Sequence, residues 1–119
     1  MIEAIEFLES AKDLLNKQPT REIDYRNAAS RAYYCAFHIC KKLLEDFPPT
    51  QFQVGAEHEK IIKGLLNHQD KRFKALGSML KDAKNQRVKA DYRLRDNFTI
   101  QDAKIVMKFT DKILMEINK

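Results

Sequence analysis

Apolar residues along this chain recur every three or four positions and almost never alternate, which predicts helices and no sheet. From about Ile2 to Lys17 the stripe is Ile2, Ile5, Leu8, Ala11 and Leu15. Gln18-Pro19-Thr20 interrupts it, with Thr20 placed to cap the next helix. From about Arg21 to Phe47, the residues Tyr25, Ala29, Ala32, Ala36, Ile39 and Leu43 mark one apolar face. Tyr33, Phe37, Cys40 and Leu44 widen that face to nearly half the circumference. A face so wide predicts a central helix that touches several neighbours. Pro48-Pro49 ends it.

Thr50 to Gly55 reads as a loop. A third helix is expected over about Ala56 to Asn67, with Ile61, Ile62, Leu65 and Leu66 inward. A fourth follows Asn67-His68-Gln69-Asp70 and runs to about Tyr92 on the stripe Phe73, Leu76, Leu80, Ala83. The last begins at Thr99, which forms a variant capping box with Asp102. Ile100, Ala103, Val106, Met107, Ile113, Leu114 and Ile117 then face the core. The expected fold class is all-α: an up-and-down bundle of about five helices, helix two central, in one domain over residues 1–119.

Composition agrees with that picture. Hydrophobic residues make up 44% and charged residues 33%, as in a folded helical protein rather than a disordered one. Three Gly and three Pro are too few for a many-stranded β fold. No window resembles a membrane span or a signal peptide, so no membrane partner is expected. Cys35 and Cys40 lie five apart in one helix and point in different directions, so no disulfide and a reduced, cytoplasmic setting are expected. The net charge of +5 is unevenly placed: residues 60–95 hold eleven Lys/Arg against three Asp/Glu, and the rest of the chain is mildly acidic. Such a segment, which includes Lys84 and Lys89, suits phosphate contacts; it equally suits an ordinary solvated helix face.

Polar residues break the helical pattern at two places. On helix two, Asn27, Arg31, Tyr34, His38 and Glu45 share one stripe away from the apolar arc. Arg31, Tyr34 and His38 together have the chemistry to bind phosphate or move a proton; a surface stripe or a dimer seam explains them as well. On helix four, the stripe continues onto Arg87, then Ala90 or Asp91, then Leu94. An arginine and an aspartate thus fall where the bundle wants apolar side chains, and unpaired charges there are costly. Either they pair structurally, or Arg87, Asp91 and Tyr92 line a functional notch. The His, Cys and carboxylate residues show no metal-ligand spacing, and there is no Gly-rich phosphate loop, so neither metal nor cofactor is expected.

Three pieces together resemble the HEPN superfamily (higher eukaryotes and prokaryotes nucleotide-binding domain). They are a first helix ending near AKDLL, the stretch AASRAYYCAFHICKKLLE, and RVKADYRL. Glu57-His58-Glu59-Lys60 followed by IIKGLL is also similar to the family's third helix. The resemblance implies a helical bundle that often forms homodimers and takes RNA or a nucleotide as partner. Members include ribonuclease toxins of toxin–antitoxin and defence modules, and non-catalytic subunits paired with nucleotidyltransferases. Metal-independent cleavage in the family uses R-x(4–6)-H near the start of a late helix. By that resemblance, Arg87 would steady phosphate, and Tyr92 with Asp91 would orient or transfer a proton, with Arg31, Tyr34, His38, Lys84 and Lys89 binding around them. Tyr92 stands where histidine is expected, and an ordinary tyrosine, with a pKa near ~10, is a poor base at neutral pH. Arg31 to His38 satisfies R-x6-H literally, but on helix two. A catalytic ribonuclease, an accessory subunit and a plain dimerisation module all remain open at this stage.

Overall fold

The computed structural model describes residues 1–50 and 55–118. Among them are five α-helices: α1 (Ala4–Leu15), α2 (Glu22–Asp46), α3 (Glu57–Leu66), α4 (Lys71–Tyr92) and α5 (Ile100–Ile117). The loop expected at Thr50 to Gly55 falls mostly on residues 51–54, outside the described residues. α2 packs against each of the other four helices, α3 also packs on α4, and α4 on α5.

The central place of α2 follows from its small side chains. Ala28, Ala29, Ala32, Cys35 and Ala36 are completely buried and let neighbouring helices approach closely. Tyr33, Phe37 and Cys40 fill the space beside them. Burial pushes the Cys40 thiol up to about 12 and the Cys35 thiol to about 11, so both stay protonated and act as small apolar groups. From α5, the buried Thr110 hydroxyl donates to the Ala32 carbonyl at 2.9 Å. Between α3 and α4 the approach is closer still. A Cβ at Gly77 would stand 2.9 Å from the Leu65 Cβ and the Leu66 amide nitrogen, so only glycine fits there.

Helix ends follow local chemistry, with one departure. The Thr99 hydroxyl accepts from the Asp102 amide at 3.2 Å, and the Thr99 amide donates to the Asp102 carboxylate at 2.9 Å, as the capping pattern predicted. Thr20 does not cap α2. Its hydroxyl donates back to the Lys17 carbonyl, and the Arg21 amide instead donates to the Asp24 carboxylate at 3.0 Å. Two stripe assignments are also corrected. Ile2 and Ile5 are exposed, at 64% and 40%. Steps of three lag the helix by about 60° each, so residues 2 and 5 drift away from Leu8 and Ala11; Leu15 packs on the core as expected, joined by Phe7 and Leu14. Leu94 is 73% exposed because α4 has already ended at Tyr92.

The end of α4 is held by a residue that no stripe singled out. Arg26 of α2 is buried, and its guanidinium donates to the carbonyls of Lys89 at 3.2 Å, Ala90 at 3.0 Å and Arg93 at 3.2 Å, and also to Asp96. Glu22 pairs with it at 3.2 Å and accepts from the Phe98 amide at 3.2 Å, while the guanidinium covers the Phe98 ring at 5.6 Å. The last carbonyls of a helix lack intrahelical donors; here one side chain supplies them.

Two outcomes test this packing. Ala32→Asp and Ala36→Asp each put an unpaired charge at a fully buried position and are expected to unfold the chain, read as loss of the helical circular-dichroism melt. Arg26→Met keeps much of the stem volume but removes the guanidinium's donors from the Lys89, Ala90, Arg93 and Asp96 carbonyls. It is expected to cost about 3 kcal/mol in urea denaturation; an unchanged midpoint would show the clamp to be dispensable.

Candidate functional site

The polar residue expected to disturb the α4 stripe sits at the meeting of α2, α3 and α4. Arg87 is only 7% exposed. Its guanidinium carbon lies 5.1 Å from the Tyr33 ring centre and 5.6 Å from that of Tyr34, so two α2 rings offer their π faces to a buried cation. Its acidic partner among the described residues is Asp91, one turn on, at 3.4 Å, a long contact to a carboxylate that is itself exposed. The Ser30 hydroxyl donates to the same carboxylate oxygen at 3.3 Å. The Arg87 Nε is buried and has no hydrogen-bond partner. A guanidinium carries five donor hydrogens, and leaving one orphaned in the interior is costly.

α3 adds His58, at its second position. The imidazole stacks on Phe37 at 4.2 Å and on Tyr33 at 5.6 Å. Its Nδ1 lies 2.6 Å from the Tyr33 hydroxyl oxygen. Burial raises the Tyr33 pKa well above its ordinary value, opposed by the adjacent Arg87 charge, so Tyr33 keeps its proton. Arg87 offers no acceptor, so the Tyr33 proton goes to His58 Nδ1. We therefore assign the Tyr33 hydroxyl as donor, which leaves the hydrogen of a neutral His58 on Nε2. His58 is held neutral by its surroundings: burial lowers its pKa first, and the charges of Arg87 and then Lys84 lower it further.

The other residues expected at the site divide into two groups. Tyr34 lies under Arg87, and Lys84, half-buried, acts on His58 through its charge. Asp91 joins through Arg87 and Ser30. Arg31 does not reach this group through any hydrogen bond; it is exposed and donates to Ser10 of α1. His38 is exposed and stacks on Phe7 of α1 at 5.5 Å. The Lys89 backbone carbonyl belongs to the Arg26 clamp. Tyr92 is 71% exposed and makes no hydrogen bond or ring contact with any described residue. Five residues along a helix turn through about 500°, so Tyr92 points roughly 140° away from Arg87.

His58, Tyr33 and Ser30 are the members that the spacing did not select. The Glu57-His58-Glu59-Lys60 segment drew notice as a likeness, not as chemistry. Tyr33 is a core residue, as its position on the apolar arc indicates, yet its hydroxyl links Arg87 to His58. Only the folded chain brings α2, α3 and α4 to one point. Among the described residues, no group of three His, Cys, Asp or Glu is disposed to hold a metal, and no helix is long and apolar enough to cross a membrane.

The electrostatics of His58 give a direct check. Because its pKa is lowered in the folded state, the unfolded chain takes up this proton first as pH falls. The contribution to stability is therefore complete above the ordinary histidine value of about 6.5 and declines as pH drops below it. Arg87→Gln removes one of the causes and is expected to raise the His58 titration midpoint in NMR, only partway, since burial remains. A midpoint that stays put would mean that the Arg87 charge does not act on the ring.

The family model described as the HEPN domain matches residues 1–119, the whole chain. No curated protein and no solved structure matches it. The helical bundle and the whole-chain match agree with the three sequence segments that first suggested the likeness: the chain belongs to the HEPN domain family.

Proposed function

We propose that this HEPN domain binds RNA or a nucleotide through a phosphate group held by Arg87, with His58 and Lys84 as further donors, and that it acts as a binding module rather than a nuclease. One observation carries the reading: a buried guanidinium with an unpartnered Nε, supported by two aromatic faces and only weakly neutralised by Asp91. An anion meeting the exposed edge of the guanidinium would add the counter-charge that Asp91 supplies only at 3.4 Å. Arginine suits this task because its planar fork matches phosphate oxygens and its charge does not titrate. The net charge of +8 over residues 60–95, which span α3 and α4, would draw a polyanion towards the same side.

The chemistry of the group favours binding over turnover. Cleavage at a 2′-hydroxyl needs a base, and a His58 whose Nδ1 accepts from Tyr33 offers only an N–H at Nε2. Arg87 and Lys84 are also donors. Tyr92, at the place of the family's histidine, is exposed on another side of α4. The accessory-subunit reading, with a nucleotidyltransferase or antitoxin as partner and a second copy of the chain completing a homodimer, fits the same non-catalytic site. In the toxin ribonuclease reading the base would have to be Asp91, whose carboxylate already takes the Arg87 and Ser30 contacts.

The test is titration of a labelled mixed-sequence RNA at several salt concentrations, with EDTA present and the RNA length followed on a gel. Affinity is expected to fall with salt at a log–log slope of about −0.7 per phosphate neutralised on single strands. Arg87→Ala is expected to weaken binding by about 2 kcal/mol or more, and Arg87→Lys to restore only part of it. Absence of binding at low salt would end the proposal. RNA shortening in EDTA that disappears in Arg87→Ala would replace it with the nuclease reading.

A further inference from the structure

Beside the Arg87 cluster, aromatic rings packed on the edge of the core reach the surface. Tyr33 and Phe37, at 0% and 3% exposure, are core. Tyr34 and Phe7 are only half-buried, and His38 is exposed. These last three form a closed group from two helices: Tyr34 to His38 at 6.3 Å, Phe7 to His38 at 5.5 Å, and Phe7 to Tyr34 at 6.3 Å. Tyr34 and His38 are one turn apart on α2, so they share a face. The ring planes differ by 23° for Phe7 and His38, 32° for Tyr34 and His38 and 39° for Phe7 and Tyr34, so His38 stacks on Phe7 with Tyr34 tilted beside them. Tyr34 belongs to both groups, because Arg87 lies over its ring at 5.6 Å. A cation anchor and a set of flat faces are thus joined through one side chain.

We propose that Phe7, Tyr34 and His38 form a stacking subsite for an unpaired nucleobase whose own phosphate or its neighbour's is held at Arg87. The subsite rests on the phosphate reading above and extends it from an anion to a nucleotide with an accessible base. Every base presents a π face, so such a subsite is tolerant of sequence, but it requires a base that is not already stacked in a duplex. Arg31, one turn before Tyr34 on α2, is tethered to Ser10 of α1.

The experiment compares two labelled oligomers of equal length and charge: an oligouridylate, and the same ribose–phosphate backbone without bases. The wild-type protein is expected to bind the base-bearing oligomer roughly 10-fold more tightly, the scale of one stacked base. His38→Ala is expected to bring that ratio close to one, and His38→Phe to keep most of it, because a flat ring is retained without the imidazole nitrogens. Equal binding of both oligomers by the wild type would overturn the subsite and leave the phosphate anchor standing. So would a ratio that survives His38→Ala. Failure of the wild type to bind either oligomer would remove anchor and subsite together.

Discussion

The grip of Arg26 on the end of α4 is the contact on which the rest of the arrangement depends. Its guanidinium supplies donors to carbonyls in the last turn of α4 and in the segment that follows, and Glu22 holds the same segment from the other side through the Phe98 amide. A helix end without such donors frays or turns to water. Fixing it sets the axial position of α4 against α2, and Arg87 lies less than one turn before the clamped carbonyls. The same interface therefore contains two buried guanidiniums with opposite states. Arg26 has its donors satisfied by backbone and carboxylate, whereas Arg87 has rings, one distant carboxylate and an unpartnered Nε. The first is satisfied within the protein; the second is left short of partners.

Tyr33 shows how core and site are built from the same residue. Its ring is packing material on the widest face of α2, and its hydroxyl lies 2.6 Å from His58 Nδ1. Because burial keeps that hydroxyl protonated, it acts as a fixed donor and sets which nitrogen of His58 carries hydrogen. Arg87 then reinforces the neutral imidazole by its charge. Tyr33 and Arg87 thus both act on the protonation of His58, and the Asp91 carboxylate is the acceptor of the group.

Histidine and arginine do meet in this chain, but across helices rather than along one. The literal pair on α2 is separated by its partners: Arg31 turns to Ser10, and His38 lies against Phe7. Arg87 of α4 and His58 of α3 instead meet on one side chain of α2, Tyr33, which contacts both. α3 can come so close to α4 because Gly77 leaves room for the Leu65 and Leu66 backbone and side chains. A small residue in one helix thus decides how near an imidazole in another can approach a guanidinium.

By itself, the sequence determined the helices, their order and the central role of α2, because a repeat of three or four apolar residues is a local property that packing then uses. It also marked Arg87 as a residue needing partners, because a charge on a core stripe is anomalous wherever its partners lie. It misplaced Ile2, Ile5 and Leu94, where a stripe drifts or runs past a helix end. It assigned Tyr92 to a notch that a 140° turn takes it away from, and it gave no sign that Arg26 would be buried, since a lone arginine near a helix start carries no periodic signal. Which side chains answer Arg87 was decided only in three dimensions. Tyr33, Tyr34 and His58 come from two other helices, and distances between helices are set by the volumes and caps of the whole bundle, which no spacing along one segment records.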